Sequence, residues 1–260
     1  MYPWYLGAAL AGGVAVAACS RGEGSSAHAG DSVATPAPDG PFGTASITGV
    51  VRFVGTPPTN PLIDMRAAPR CRAIYHADPR QLAVVVNRNN TLANVFVYVR
   101  AGLAPGGRYA APDDAVLVTQ RGCQYHPRVF GIMVGQTLKL RNDDVVPHTL
   151  SARSIKNPPF TINQSPGTTS NHIFDAAEVM VPLEANVHRW MRAYTGILAH
   201  PFFATTGPRG RFTIRDLPPG TYTLEAWHEA YGRRTATVTV RESATARVTF
   251  SYAATAGETS

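Results

Sequence analysis

The sequence predicts an all-β protein, and three observations carry that reading. The C-terminal part of the chain is rich in Val, Thr, Tyr, Phe, Gly and Pro, the residues of strands and of the turns between them. No long stretch spaces its apolar residues with a helical period. Short apolar or alternating runs recur instead, each stopped by a turn rich in Gly, Pro or Asn. At 260 residues the chain has room for one large domain or two small ones, each with its own core.

The segment before the first strand is of another kind. Leu6 to Ala18 is an apolar run of mostly small residues, too short to cross a bilayer and suited to the core of an export signal. Residues 1–19 are read as that signal. Its end, Val16-Ala17-Ala18-Cys19, resembles the bacterial lipobox, which implies a lipid on Cys19 and anchorage of the exported chain in a membrane. Ser20, where Asp would signal retention, implies by the same resemblance the outer membrane rather than the inner. No Lys or Arg precedes Cys19, and an ordinary cleaved signal with an incidental Cys19 is the alternative. Residues 20–45 are dominated by Ser, Gly, Ala, Pro and Asp; they cannot build a core and read as a flexible linker.

The strands follow. Ser46 to Gly55 alternates and stops at Thr56-Pro57-Pro58. Leu82 to Asn87 and Leu92 to Arg100 read as two strands about an Asn-rich turn. Val95 to Val99 is apolar throughout, as in a strand buried on both faces or in a sandwich core. Ala115 to Thr119 opens a second pattern, which runs through Gly122 to Pro127 and Val129 to Asp143. Asn142-Asp143-Asp144 ends a strand, and His148 follows in the next loop. Val179 to Leu183 and Tyr194 to Leu198 are further strands, the latter with Gly196 inside it. After the turn Gly207-Pro208-Arg209-Gly210 come Arg211 to Arg215 and Thr221 to His228, either side of Leu217-Pro218-Pro219-Gly220. Thr235 to Arg241 and Ala246 to Tyr252 complete a meander, and 254–260 is a tail.

Two resemblances give these strands an architecture. Val134-Gly135-Gln136-Thr137-Leu138 leading to Asn142-Asp143 and His148, then Val179 to Met191 with His188, resembles a cupredoxin over residues 115–204. Gly210-Arg211-Phe212-Thr213-Ile214 and Leu217 to Leu224 resemble a carboxypeptidase-regulatory-like, or transthyretin-like, domain over residues 205–253. The expected fold is a cupredoxin-like Greek-key β-sandwich plus a regulatory-like β-sandwich. Residues 46–114 carry two strands that such a regulatory module normally begins with. Either one regulatory-like sandwich is assembled from both flanks, with the cupredoxin inserted at an exposed turn, or two sandwiches stand in tandem.

The cupredoxin resemblance implies a metal site and an anomaly in it. A blue-copper site takes two imidazoles, one thiolate and a weak axial thioether. His148, His188 and Met191 match the imidazole and thioether positions; the cysteine position is Ala185, whose methyl group donates nothing. Two imidazoles and a thioether suit Cu(I), or Cu(II) with water or a carboxylate filling the gap, and such a centre is not intensely blue. Glu184 adjoins the gap but faces the other way if the strand stays extended. Arg189 follows His188 and places a cation near any metal. The alternative is a vacant, purely structural relic. His126, His200 and His228 read as structural or solvent-facing, and His76 and His172 as residues of polar loops.

Apart from Cys19, the chain has only Cys71 and Cys123. In an exported protein two cysteines most simply form one disulfide, contributing about 3–5 kcal/mol through the long loop it closes. The alternative makes Cys123, ahead of His126, half of a metal site.

The formal charge of +7 comes from scattered basic residues, nearly all Arg, with no dense run and no interleaved aromatics, which argues against nucleic acid as a partner. Neither Gly-x-Ser-x-Gly nor His-Glu-x-x-His occurs. The sequence therefore reads as a binding module rather than an enzyme. The resemblance implies copper as cofactor, electron transfer, and an envelope redox or copper-handling protein as partner. A metal-free structural or protein-interaction module is the alternative.

Overall fold

Backbone hydrogen bonding in a computed structural model sorts the described residues into four sheets. Residues 42–254 are described; Cys19, the signal and the linker up to residue 41 lie outside the described residues, as does the tail beyond 254. In chain order the elements are β1 (Ala45–Val54), α1 (Pro69–Arg72), β2 (Phe96–Ala101), β3 (Val116–Gln120), β4 (Tyr125–His126), β5 (Val129–Met133), β6 (Thr137–Asn142), β7 (His148–Ala152) and β8 (Phe160–Gln164). They continue with β9 (Thr169–Ile173), β10 (Glu178–Ala185), β11 (Arg192–Leu198), β12 (Phe203–Thr205), β13 (Arg211–Leu217), β14 (Gly220–His228), β15 (Gly232–Val240) and β16 (Thr245–Ala253). The described residues are all-β apart from the single turn of α1.

One sandwich packs the sheet β13-β1-β16 against the sheet β12-β2-β14-β15. Its core includes Ile47, Val51, Val97, Leu224, Phe250 and Tyr252. The other packs β5-β11-β10-β7-β8 against β4-β3-β6-β9, around Val118, Ile132, Leu140, Leu150, Leu183 and Ile197. The strands of the first sandwich thus come from both flanks of the second in sequence. β1 lies between β13 and β16, antiparallel to one and parallel to the other. β2 lies between β12 and β14.

β2 explains the unbroken apolar run that contains it. Val95, Val97 and Val99 fill the core of the first sandwich, while Phe96 and Tyr98 point the opposite way and pack with Val129, Met180 and Leu198 of the second. Alternation is present, but both faces are buried. The contact relies on two glycines facing each other on neighbouring strands, Gly131 of β5 and Gly196 of β11. A Cβ on Gly196 would lie 2.3 Å from the Phe96 ring, and one on Gly131 2.3 Å from the Phe203 ring. A bidentate ion pair, Arg128 to Glu229 at 2.5 and 2.7 Å, closes the same junction with both side chains nearly buried.

Four readings of the sequence change. Leu82 to Asn87 is not a strand; only Val86 makes an isolated bridge, to Leu92. The Asn60 side chain takes the hydrogen bonds a neighbouring strand would supply, donating to Val84 O and accepting from Val84 N–H. The C-terminal strands are not a simple meander, because β16 crosses to the opposite sheet and pairs with β1 instead of β15. His172 is in β9 rather than a polar loop, stacked on Phe160 at 3.6 Å between ring centres. At the near end of the span read as linker, Gly43 N–H already bonds Asp216 O, and β1 begins at Ala45.

Candidate metal centre

His148 and His188 meet in the second sandwich, where two chain segments are turned inward. The first follows β6. Asn142 Oδ1 accepts the Asp144 N–H at 3.0 Å and its amide donates to Val146 O at 2.9 Å, which folds the loop into an Asx turn. From there exposure alternates: Asp143, Val145 and Pro147 face out, and Asp144, Val146 and His148 face in. His148 therefore opens β7 with its ring 0 % exposed. The second segment joins β10 to β11. Ala185 N–H bonds Met191 O, and Met191 N–H bonds His188 O, so the loop closes tightly with His188 at its inner side. Asn186, Val187 and Arg189 remain exposed.

The two Nδ1 atoms lie 3.1 Å apart, and each ring is held from its far side. His148 Nε2 is 2.8 Å from Asp144 Oδ2. His188 Nε2 is 3.6 Å from Cys71 Sγ. Asp144 is an acceptor only, so it fixes the proton of a neutral His148 on Nε2 and leaves the Nδ1 lone pair facing His188. If His188 likewise donates from Nε2 to the sulfur, a second lone pair faces the first. Such a pair is repulsive unless a cation joins them. Two imidazole nitrogens 3.1 Å apart are close enough that both could hold one cation. The donor set fits a metal.

Electrostatics point the same way. Burial works against ionisation of Asp144, yet hydrogen bonds from His148 and from the Cys123 and Gly122 N–H groups outweigh it and hold the carboxyl below its usual range. Burial, reinforced by the neighbouring His148, pushes His188 below the usual imidazole value, with Asp144 opposing. A neutral His188 keeps a lone pair available to a metal.

Behind the pair lies sulfur. Cys71, on α1, and Cys123 form a disulfide with 5.8 Å between Cα atoms. Cys123 occupies the turn between β3 and β4, where Gly122 and Cys123 have φ of +65° and +52°. Cysteine is costly in that left-handed region; the Asp144 carboxylate, accepting both N–H groups of the turn, and the disulfide hold it there. Trp190 Nε1 donates to Cys123 O, tying the His188 loop to the same turn.

Ala185 and Met191 are both buried in the core of this sandwich. Among the described residues no hydrogen bond joins the Met191 sulfur to either imidazole. Glu184 faces outward, paired with Arg153 and Arg192. Arg189, expected to crowd the metal, instead lines a separate surface pocket with Arg153, Glu184 and Arg192. The pocket that opens on His148 and His188 has a volume of about 480 Å³ and is edged by Thr149, Asn163, Gln164 and Ser165. Sequence reasoning passed over Asp144, whose only signal is a carboxylate four residues before His148 in a run that also reads as a strand stop.

Comparison with known proteins bears on the scaffold. Residues 196–253 match the model of the carboxypeptidase regulatory-like domain. The matched span holds β12 to β16; β1 and β2, which complete its two sheets, lie outside it. Among solved structures, the chain is similar to the copper-containing nitrite reductase of Thermus scotoductus SA-01, with 21% identity and a TM-score of 0.31, over 39% of this chain and 26% of that one. It thus spans about a quarter of the reductase. A purple cupredoxin from Nitrosopumilus maritimus gives 21% identity and a TM-score of 0.28, over 32% of this chain and 99% of that one. A Cu(I) form of an amicyanin variant gives 14% identity and 0.30, over 39% and 97%. No curated protein matches the chain.

Proposed function

We propose that the second sandwich is a cupredoxin-type module that holds one copper ion between Nδ1 of His148 and Nδ1 of His188, and that the chain serves as a metal-binding protein rather than an enzyme. One observation carries this reading: two buried imidazoles face each other at 3.1 Å, with Asp144 on Nε2 of one and the Cys71 sulfur 3.6 Å from Nε2 of the other. Bound copper would supply a soft, redox-active cation; the chain's own residues orient the two nitrogens, bury them and leave one pocket of mixed lining open to a further ligand. Met191 belongs to the same core and is the remaining candidate donor. With Ala185 where a thiolate would stand, the centre lacks the donor that gives blue copper its colour, and holding copper is better supported than passing electrons. The sequence of residues 1–19 supports tethering through Cys19 in a bacterial envelope; the partner we propose, a redox or copper-handling protein of that compartment, follows from the copper reading alone.

The test is copper retention. Oxidised protein is dialysed against copper and then against copper-free buffer. About one copper per chain is expected to remain, nearly colourless, and to be lost in His148→Ala and His188→Ala. Retention unaffected by either substitution, or none in the native chain, would overturn the reading in favour of a metal-free module.

A further inference from the structure

The disulfide does more than staple the fold. The Cys123 sulfur, an Asp144 carboxylate oxygen and a His148 ring nitrogen all lie within 4.8 Å of one another, and all three residues are buried. Thiolate, carboxylate and imidazole are the donors of a zinc site. While Cys123 is bonded to Cys71 its sulfur carries no charge and the set is incomplete. We propose that reduction of Cys71–Cys123 creates a second metal site, in which Cys123, Asp144 and His148 bind a zinc-like divalent cation. This inference stands beside the copper reading and shares one ligand with it, His148; Asp144, a ligand here, only orients the His148 ring there.

The chemistry balances with a dithiol as reductant. The dithiol gives up two electrons and two protons and becomes a disulfide; the bond between Cys71 and Cys123 breaks, and both become thiols. The cation then displaces the Cys123 thiol proton to solvent. At His148 the proton on Nε2 leaves for Nδ1, freeing Nε2 for the cation. A neutral imidazole has one lone pair, so His148 Nδ1–H now donates to Nδ1 of His188 and nothing can be coordinated between them. The two sites exclude each other when filled: reduction of the disulfide opens the zinc site, and a cation bound there closes the copper site.

The experiment uses the full chain without oxygen, reduced with a dithiol that is then removed, incubated with Zn²⁺ alone and desalted. About one zinc per reduced chain is expected against almost none per oxidised chain, with alkylation of Cys123 slowed at least about tenfold by zinc. Cys123→Ser should abolish the uptake. Cys71→Ser, which frees the Cys123 thiol without any reductant, should take zinc as isolated. His188→Ala should keep this zinc while losing the copper of the oxidised form, so the two proposals fail separately. Equal zinc in reduced and oxidised chains, uptake that survives Cys123→Ser, or a Cys71→Ser protein that takes none would overturn the inference. A reduced chain that unfolds and is not restored by zinc would overturn it too, because a folded-state site stabilises the fold it belongs to.

Discussion

Asp144 accepts two backbone N–H groups from a left-handed turn, and its Oδ2 also holds His148 Nε2. A neutral amide in its place cannot serve all three partners. Asp144→Asn is therefore expected to weaken copper binding about 10–100-fold, measured by competition with a chromophoric chelator. The same substitution has a pH signature. Because the folded carboxyl titrates below its usual 3.8, its stabilising share is complete above that value and is lost as pH falls beneath it. Urea midpoints of Asp144→Asn should accordingly fall less steeply below about pH 4 than those of the native chain. Ala185 offers a second probe. It is buried at the foot of the His188 loop, so Ala185→Cys is expected to give an intensely coloured copper–thiolate centre, read by visible absorption. At this scale the two histidines were legible, because strand ends and loop spacing mark them. The Cys71–Cys123 pairing was legible too, but Asp144 was not, nor the position of the sulfurs beside the histidines, because both depend on β3 lying beside β6, a pairing no local pattern encodes.

Among the elements, β11 and β5 show how a missing side chain does structural work. Gly196 and Gly131 form the seat for the Phe96 and Phe203 rings at the junction of the two sandwiches. Gly196→Ala is expected to cost about 1–3 kcal/mol, since the ring it would strike is fully buried; chemical denaturation checks it. The segment between β1 and β2 has little regular structure of its own, and the disulfide ties it to the second sandwich. Replacing both cysteines by serine should cost about 4 kcal/mol by the chain-entropy estimate. Strand positions were largely legible from alternation and turn residues. What alternation conceals is the partner: a period of two tells which side chains share a face, not which strand lies alongside. That is why β16 read as the last strand of a meander, and why Leu82 to Asn87, satisfied by the Asn60 side chain, read as a strand.

Over the whole molecule, acid sensitivity should come from the first sandwich as well as the second. His228, fully buried on β14 against Tyr231 and Tyr252, is pushed down to about 4 by burial and, secondarily, by Arg128. Its folded value is depressed, so its stabilising share is complete above pH 6.5 and is lost as pH falls towards 4, where it levels off. The loss is of order 3 kcal/mol, and His228→Phe should flatten that part of the thermal-stability profile. The second sandwich carries the central claim, and pulsed electron paramagnetic resonance on the Cu(II)-loaded, oxidised chain tests it most directly by counting coordinated imidazoles. The expected spectrum shows two imidazoles in the native protein and no more than one in His188→Ala. A Cu(II) spectrum that His188→Ala leaves unchanged, or a native spectrum with fewer than two coordinated imidazoles, would contradict the account.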